Sequence, residues 1–184
     1  MQKTDLIIIG AGPGGYETAL EAAKAGLSVT LFEGAELGGT CLNAGCIPTK
    51  CLVKNAEVVS QFKNSEQFGI DDFTFSLDFH KVMERKNNVV ETLRAGIAQM
   101  MKMAKVNVVK GFAAFTDDHT VTCDGEEYTA DNFIIATGSV SKALPIPGAD
   151  LECVMDSTRI LSIDHIPELS LIHISEPTRL RCIS

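Results

Sequence analysis

No stretch of this 184-residue chain stays apolar for the ~18 residues that a membrane span requires, so no membrane contact is expected. Clustered Lys and Arg are missing too. With a formal net charge of -8, the chain offers no electrostatic footprint for a phosphate backbone, and nucleic acid is excluded as a partner. Met1-Gln2-Lys3-Thr4-Asp5 leads directly into a strand, with neither the hydrophobic region nor the small-residue cleavage site of an export signal. The expected location is the cytoplasm. Internal repeats and low-complexity segments are absent as well. What is present is ordinary for a folded globular chain: 45% hydrophobic and 22% charged residues, which excludes a disordered one. The length allows one domain with a core and the start of a second.

Six cysteines stand at positions 41, 46, 51, 123, 153 and 182. Without an export signal a static disulfide framework is not expected, which leaves redox or metal roles. Only Cys41, Cys46 and Cys51 cluster. Their spacing lacks the second ligand pair of a zinc site and no His lies nearby, so no metal is expected. The alternative for each is a small buried hydrophobe, and Cys51, on a helix face, fits that role.

Leu6-Ile7-Ile8-Ile9 is an apolar, β-branched run that stops at Gly10, the pattern of a strand buried on both faces. From Tyr16 to Lys24 the period becomes helical, and Gly26 supplies the positive φ that a helix end uses. Ser28 to Phe32 reads as the next strand, with Glu33 at its end. Further helices are expected over about Thr49–Phe62 and Phe79–Lys102, where Val82, Val89, Val90, Leu93 and Ile97 recur at helical spacing. Short strands follow at Val106–Val109, Ala113–Phe115, Thr120–Thr122 and Glu127–Thr129, then a buried strand at Phe133–Ala136. Pro145, Pro147 and Gly148 mark a linker. His80, His119, His165 and His173 match no catalytic pattern and are expected on the surface.

The first chemical motif is Gly10-Ala11-Gly12-Pro13-Gly14-Gly15, a G-x-G-x-x-G between the first strand and the first helix. Gly10 suits the tight turn, Gly12 leaves space for a pyrophosphate, and Gly15 permits close helix–strand packing. The helix start adds N–H groups and the positive end of the helix dipole. Glu33, 18 residues past Gly15, is placed to accept hydrogen bonds from a ribose diol. Strand, helix and acid together indicate a dinucleotide; whether it is FAD or NAD stays open at this motif.

The second motif is Gly38-Gly39-Thr40-Cys41-Leu42-Asn43-Ala44-Gly45-Cys46-Ile47-Pro48-Thr49-Lys50. It resembles the redox-active disulfide segment of the pyridine nucleotide–disulfide oxidoreductase family, and Leu42 and Ile47 make it most similar to the branch that oxidises dihydrolipoamide. Glutathione and mercuric reductases, which tend to carry Val at those positions, remain the alternative within the family; a nucleotide-binding module without turnover is the alternative outside it. Two further segments agree with the resemblance: Lys110 to Phe115, whose Ala113 would contact the adenine, and Ala136-Thr137-Gly138-Ser139, the turn closing the first FAD-binding segment.

The resemblance implies a Cys41–Cys46 disulfide. Five residues span about 7.5 Å along a regular helix, whereas a disulfide wants Cα atoms roughly 4.4 to 6.8 Å apart. Such a bridge requires a distorted turn, which Asn43 and Gly45 tolerate. By resemblance Cys41 is the interchange thiol, Cys46 lies against the flavin, and Lys50 stands near the flavin's N5 edge. The implied cofactor site comprises Gly10, Gly12, Pro13, Gly14, Gly15, Glu33, Gly38, Gly39, Thr40, Cys41, Lys50, Ala113, Thr137, Gly138 and Ser139.

The expected fold is α/β: a Rossmann-like FAD-binding domain with a mostly parallel sheet, inserted helices and a β-meander crossover. Residues 1–148 would form its first segment and 149–168 a linker towards an NAD-binding domain. The implied enzyme oxidises dihydrolipoamide with NAD+, works as a homodimer and serves a 2-oxo acid dehydrogenase or glycine cleavage complex. The family's acid–base pair, NAD site and dimerisation domain lie beyond this chain, so a truncated and inactive fragment is expected. Residues 169–184 break the pattern: Leu169 to Arg179 also reads as the translation of a sequencing-library transposon adapter, and a tail foreign to the domain is expected there.

Overall fold

The computed structural model describes residues 2–70, 74–143 and 145–171. Strand β1 (Gln2–Ile9) runs into helix α1 (Pro13–Lys24) and returns through β2 (Val29–Glu33), a βαβ unit. Pro13 opens α1 at a position whose N–H has no partner in a helix anyway. Its end is a Schellman closure: Gly26, at φ 91°, donates to the Ala23 carbonyl (3.0 Å), and Leu27 N–H donates to that of Ala22 (3.1 Å).

Two helices follow where one was expected: α2 (Gly39–Ala44) and α3 (Cys46–Lys63). The break is at Gly45, whose φ of -149° and ψ of -108° leave the helical region. The reading that began the helix near Thr49 placed Pro48 outside it, yet Pro48 lies in the first turn, where no intrahelical N–H is needed. Helix α4 (Phe79–Met103) is capped by Asp78, whose carboxylate accepts from Lys81 N–H (3.2 Å). Val90, Ile97 and Met101 bury one stripe of it against the sheet.

Strands β3 (Asn107–Lys110), β4 (Ala114–Asp117), β5 (Thr120–Cys123) and β6 (Glu126–Ile135) complete one six-stranded sheet, in the order β3-β2-β1-β6-β5-β4. β3, β2, β1 and β6 are mutually parallel; β4, β5 and β6 form the antiparallel meander. The two expected strands Glu127–Thr129 and Phe133–Ala136 are one strand. Asp131 and Asn132, which read as a break, sit exposed while the pairing continues past them to β1 (Thr4 with Ala130, Leu6 with Asn132).

Residues of β1 alternate between two cores, as a strand covered on both faces should. Leu6 and Ile8 join Ala19, Val29, Leu31 and the α4 stripe. Ile7 points the other way with Phe32, Val121 and Tyr128, where the Phe32 and Tyr128 rings meet edge-on at 5.0 Å.

The linker expected at 149–168 contains a one-turn helix, α5 (Ser157–Ile160), and folds back onto α4: Lys86 Nζ donates to the Leu161 carbonyl at 2.7 Å. Burial holds the Lys86 ammonium below its usual pKa, partly offset by Cys51. Cys51 and Cys123 are buried and Cys153 is exposed. His80, His119 and His165 are exposed. His173, Cys182 and most of the expected foreign tail, residues 172–184, lie outside the described residues. No described helix is long and apolar enough to cross a membrane.

Candidate functional site

The parallel strands β1, β2, β3 and β6 all end at the same edge; Glu33 is the last residue of β2 there, and the other predicted cofactor residues sit in the loops or helices beyond it. Ligands of open α/β sheets bind at that carboxyl edge. Gly10 makes the turn out of β1 at φ 102°, with its N–H on the Phe32 carbonyl (2.8 Å). A Cβ on Gly10 would stand 2.3 Å from the Ala136 carbonyl oxygen, so the first loop packs directly on the turn carrying Thr137 and Gly138. A Cβ on Gly15 would meet the Gly10 oxygen at 1.8 Å. Gly12 differs: a Cβ there would reach only the Gly39 Cα, at 3.9 Å. Its space is open rather than filled by packing.

The start of α1 has no side-chain cap and no acidic residue in its first turn. N–H groups and a positive dipole end are left facing that space, which is what an anionic pyrophosphate requires. The residues present therefore fit a dinucleotide at this position. Glu33 braces the loop: Oε2 accepts from Ala11 N–H and Oε1 from Ala35 N–H, both at 2.8 Å. A carboxylate has about four lone-pair sites, so two hydroxyls of a ribose can still be accepted. Ala113 is half-buried between β3 and β4, and Thr137, Gly138 and Ser139 are exposed in the turn that follows β6.

The cysteine segment is joined to the nucleotide loop through backbone. Gly38 N–H donates to the Ala11 carbonyl (2.9 Å), and a Cβ on Gly39 (φ 59°) would approach the Gly12 Cα to 2.6 Å. Both positions need glycine, and together they hold α2 against the loop. Across the Gly45 break Cys41 and Cys46 form a disulfide, with Cα atoms 4.7 Å apart, far closer than a continuous helix allows. The distortion required for this bridge is the break itself. Cys41 is half-buried and Cys46 exposed; Lys50, four residues on and on the same face of α3, is exposed as well.

Arg94, which no motif reaches, also belongs here: it crosses from α4 to hydrogen-bond Asn43, between the two cysteines. Its signal was invisible because the pair is 51 residues apart in sequence. An apolar groove lined by Leu52, Val59, Leu77 and Ile163 lies on the far side of α3 and holds none of these residues. Among the described residues no group of three His, Cys, Asp or Glu is placed to bind a metal ion.

A Rossmann-like dinucleotide-binding edge with a Cys-x4-Cys disulfide braced against its glycine loop defines the class: a nucleotide-linked disulfide oxidoreductase domain. The chain belongs to the pyridine nucleotide-disulphide oxidoreductase family, whose sequence profile it matches over residues 4–173. It is 44% identical over 174 residues to the dihydrolipoyl dehydrogenase of Thermus scotoductus, covering 94% of this chain and 37% of that protein. A dihydrolipoyl dehydrogenase of Bacillus subtilis is 43% identical over 171 residues, covering 90% and 36%. Among solved structures, a Cu(II) complex of the HOCl-induced flavoprotein disulfide reductase RclA from Escherichia coli superposes with a TM-score of 0.76. That match is 34% identical in sequence and covers 91% of this chain and 36% of the RclA chain. The chain thus spans a little over a third of the relatives it matches.

Proposed function

We propose that the chain is the FAD-binding first segment of an enzyme that oxidises dihydrolipoamide to lipoamide with NAD+. The observation that carries this reading is the Cys41–Cys46 disulfide at the carboxyl edge, tied to the dinucleotide loop by the Gly12–Gly39 contact. Gly10, Gly12, Pro13, Gly14 and Gly15 would hold the pyrophosphate, Glu33 the ribose and Ala113 the adenine. Gly38, Gly39, Thr40, Cys41, Lys50, Thr137, Gly138 and Ser139 would line the remainder.

Cys41 is the interchange residue: one substrate thiolate attacks its sulfur, the Cys41–Cys46 bond breaks and Cys46 leaves as a thiolate. The second substrate thiol, once deprotonated, attacks the substrate's own sulfur in the mixed disulfide. Lipoamide departs as a cyclic disulfide and Cys41 leaves as a thiolate, which takes up the proton given up by the second substrate thiol. Two electrons now reside on the cysteine pair. FAD, held by the glycine loop, Glu33 and Lys50, would supply the two-electron acceptor between this pair and NAD+. For this division of roles a flavin would have to reach the exposed Cys46, and Lys50, exposed on the same face of α3, would supply a positive charge to it.

The base that takes the dithiol proton, the NAD site and a homodimer interface would be supplied by the part of the relatives this chain does not span. Service in a 2-oxo acid dehydrogenase or glycine cleavage complex, and a cytoplasmic location, belong to the same proposal.

The test is a titration of the purified chain with FAD and with NAD, followed by quenching of flavin fluorescence and by competition. FAD is expected to bind in preference to NAD, though more weakly than in a full-length relative. Tighter binding of NAD would overturn the assignment.

A further inference from the structure

Gly45 permits the helix break between Cys41 and Cys46, since a Cβ there would meet the Thr40 carbonyl oxygen at 2.9 Å and the Cys41 Cα at 3.3 Å. Permission is not restraint: a glycine alone would let the segment relax. The restraint comes from Asn43. Its Nδ2 donates to the carbonyls of Leu37 (2.9 Å) and Gly39 (3.0 Å), with that of Glu36 farther off at 3.4 Å. One side chain thus ties the end of α2 back to its beginning. Asn43 Oδ1 in turn accepts from both Nε (3.1 Å) and Nη2 (2.8 Å) of Arg94 on α4. Arg94 is itself fixed by Glu91 (2.8 Å) and by Glu36 (3.6 Å), and Glu36 also faces Lys110 at 3.5 Å.

We propose that Asn43, oriented by Arg94, is the positioning residue of the Cys41–Cys46 pair, holding both sulfurs together in the reduced as well as the oxidised chain. The proposal rests on the reading of these cysteines as the redox pair. Reduction by an external dithiol breaks the Cys41–Cys46 bond, transfers two electrons and two protons to the cysteines, and leaves the dithiol as its own disulfide. The equilibrium depends on how close the two thiols stay afterwards. Released from Asn43, the segment can relax towards continuous helix, where five residues span about 7.5 Å. That exceeds the roughly 4.4 to 6.8 Å of a disulfide, so re-closure is disfavoured and the pair becomes easier to reduce.

The chemistry of each partner is specific. A neutral amide is required because it accepts from Arg94 and donates to carbonyls at once; a carboxylate of the same shape cannot donate. Arginine is required because its planar fork puts two N–H groups on one oxygen, which an ammonium does not reproduce.

The test equilibrates the 184-residue chain in mixtures of oxidised and reduced dithiothreitol, with Cys41 and Cys46 read by alkylation and mass spectrometry. Asn43→Asp is expected to shift the equilibrium towards the dithiol by about tenfold or more, equal to about 30 mV for a two-electron couple. Arg94→Lys is expected to shift it the same way by about threefold or more, or about 14 mV. Glu57→Gln, an exposed change elsewhere on α3, is expected to leave it within about twofold of the parent. A merely structural role would lower the melting temperature without moving the exchange equilibrium. Folded Asn43→Asp and Arg94→Lys chains that both stay below their expected shifts would overturn the proposal; if Asn43→Asp does not fold, Arg94→Lys decides alone. Should Cys41 and Cys46 of the parent fail to convert together, the redox-pair reading itself falls, a failure visible before any variant is made.

Discussion

Substituting alanine at Gly12 and at Gly15 separates ligand binding from folding within one loop. The Gly15→Ala methyl would stand 1.8 Å from the Gly10 carbonyl oxygen and 2.9 Å from its carbon, and both are backbone atoms that no rotamer can move. The turn must open, an overpacking that costs about 1 to 3 kcal/mol. For a chain of this size each kcal/mol lowers the melting temperature by roughly 2 to 4 °C, so a fall of about 2 to 12 °C is expected. Gly12 has φ -68° and ψ -178°, which alanine adopts freely, and its nearest neighbour, Gly39 Cα, would lie at an ordinary 3.9 Å. Gly12→Ala should therefore leave the stability of the chain alone within about 0.5 kcal/mol of the parent. Its methyl instead occupies space assigned to the pyrophosphate. Losing one charge-assisted hydrogen bond there removes about 1.5 to 3 kcal/mol, a drop in FAD affinity of about tenfold or more. Denaturant melts of the chain without nucleotide and flavin fluorescence titrations measure the two quantities separately. A Gly12→Ala chain that melts early, or that binds FAD within about twofold of the parent, would refute the division of roles argued for these glycines.

Differential alkylation of the native chain should label exposed Cys153 first, convert Cys41 and Cys46 together on reduction, and reach buried Cys51 only on unfolding; early labelling of Cys51 would contradict its placement. The ends of α1 and α4 use the left-handed region, Gly26 at φ 91° and Lys105 at φ 58°. Gly26→Ala should therefore cost about 1 kcal/mol, and Lys105→Gly should stabilise by a few tenths up to about 1 kcal/mol, both read from urea midpoints. Asp5 accepts from the Ser28 hydroxyl (2.6 Å) and N–H (2.8 Å), and these bonds hold its carboxyl below the ordinary value. A depressed folded pKa contributes stability above the unfolded pKa of about 3.9 and loses it as pH falls through the folded one. Asp5→Asn should thus flatten the loss of stability below about pH 4, and an unchanged acid limb would show the bonds to contribute nothing.

The parts of the fold legible in the sequence were those whose signal is local. Strand β1, the glycine loop and α1 each declare themselves within a few residues, and Gly26 marks the helix end by a backbone requirement that few other residues meet. Where the signal was not local, the reading stopped short. Asp131 and Asn132 fall between two expected strands, yet β6 runs through them because β1 continues to pair beside it and both side chains are solvated. Pro48 looked like a helix boundary but sits inside the first turn of α3. For the candidate site, the glycine loop was legible from its place between a strand and a helix, whereas the Cys41–Cys46 bridge was legible only through the family resemblance of its segment. The contacts joining the motifs could not be read, because they form between backbone atoms of Ala11, Gly12, Gly38 and Gly39, and between Asn43 and Arg94 from distant elements.

Those joining contacts explain why a nucleotide loop and a disulfide, two separate motifs in sequence, behave as one site. Gly12 cannot shift without meeting Gly39, and Ala11 is held from both sides: its N–H by Glu33 and its carbonyl by the Gly38 N–H. Helix α2 begins at Gly39 and carries Cys41 two residues later, so the position of Cys41 is set by the same backbone contact that leaves Gly12 open. A pyrophosphate bound on that loop would load the contact directly, and the proposed electron path from cysteine to flavin needs a fixed separation to which such a contact contributes. A side chain at Gly39 would force the two segments apart, clashing at 2.6 Å with the Gly12 backbone at a φ of 59°, whereas one at Gly12 would fill the open space and leave the contact in place. Glycine at position 39 thus serves the coupling between the segments, while glycine at position 12 keeps the space beside it open.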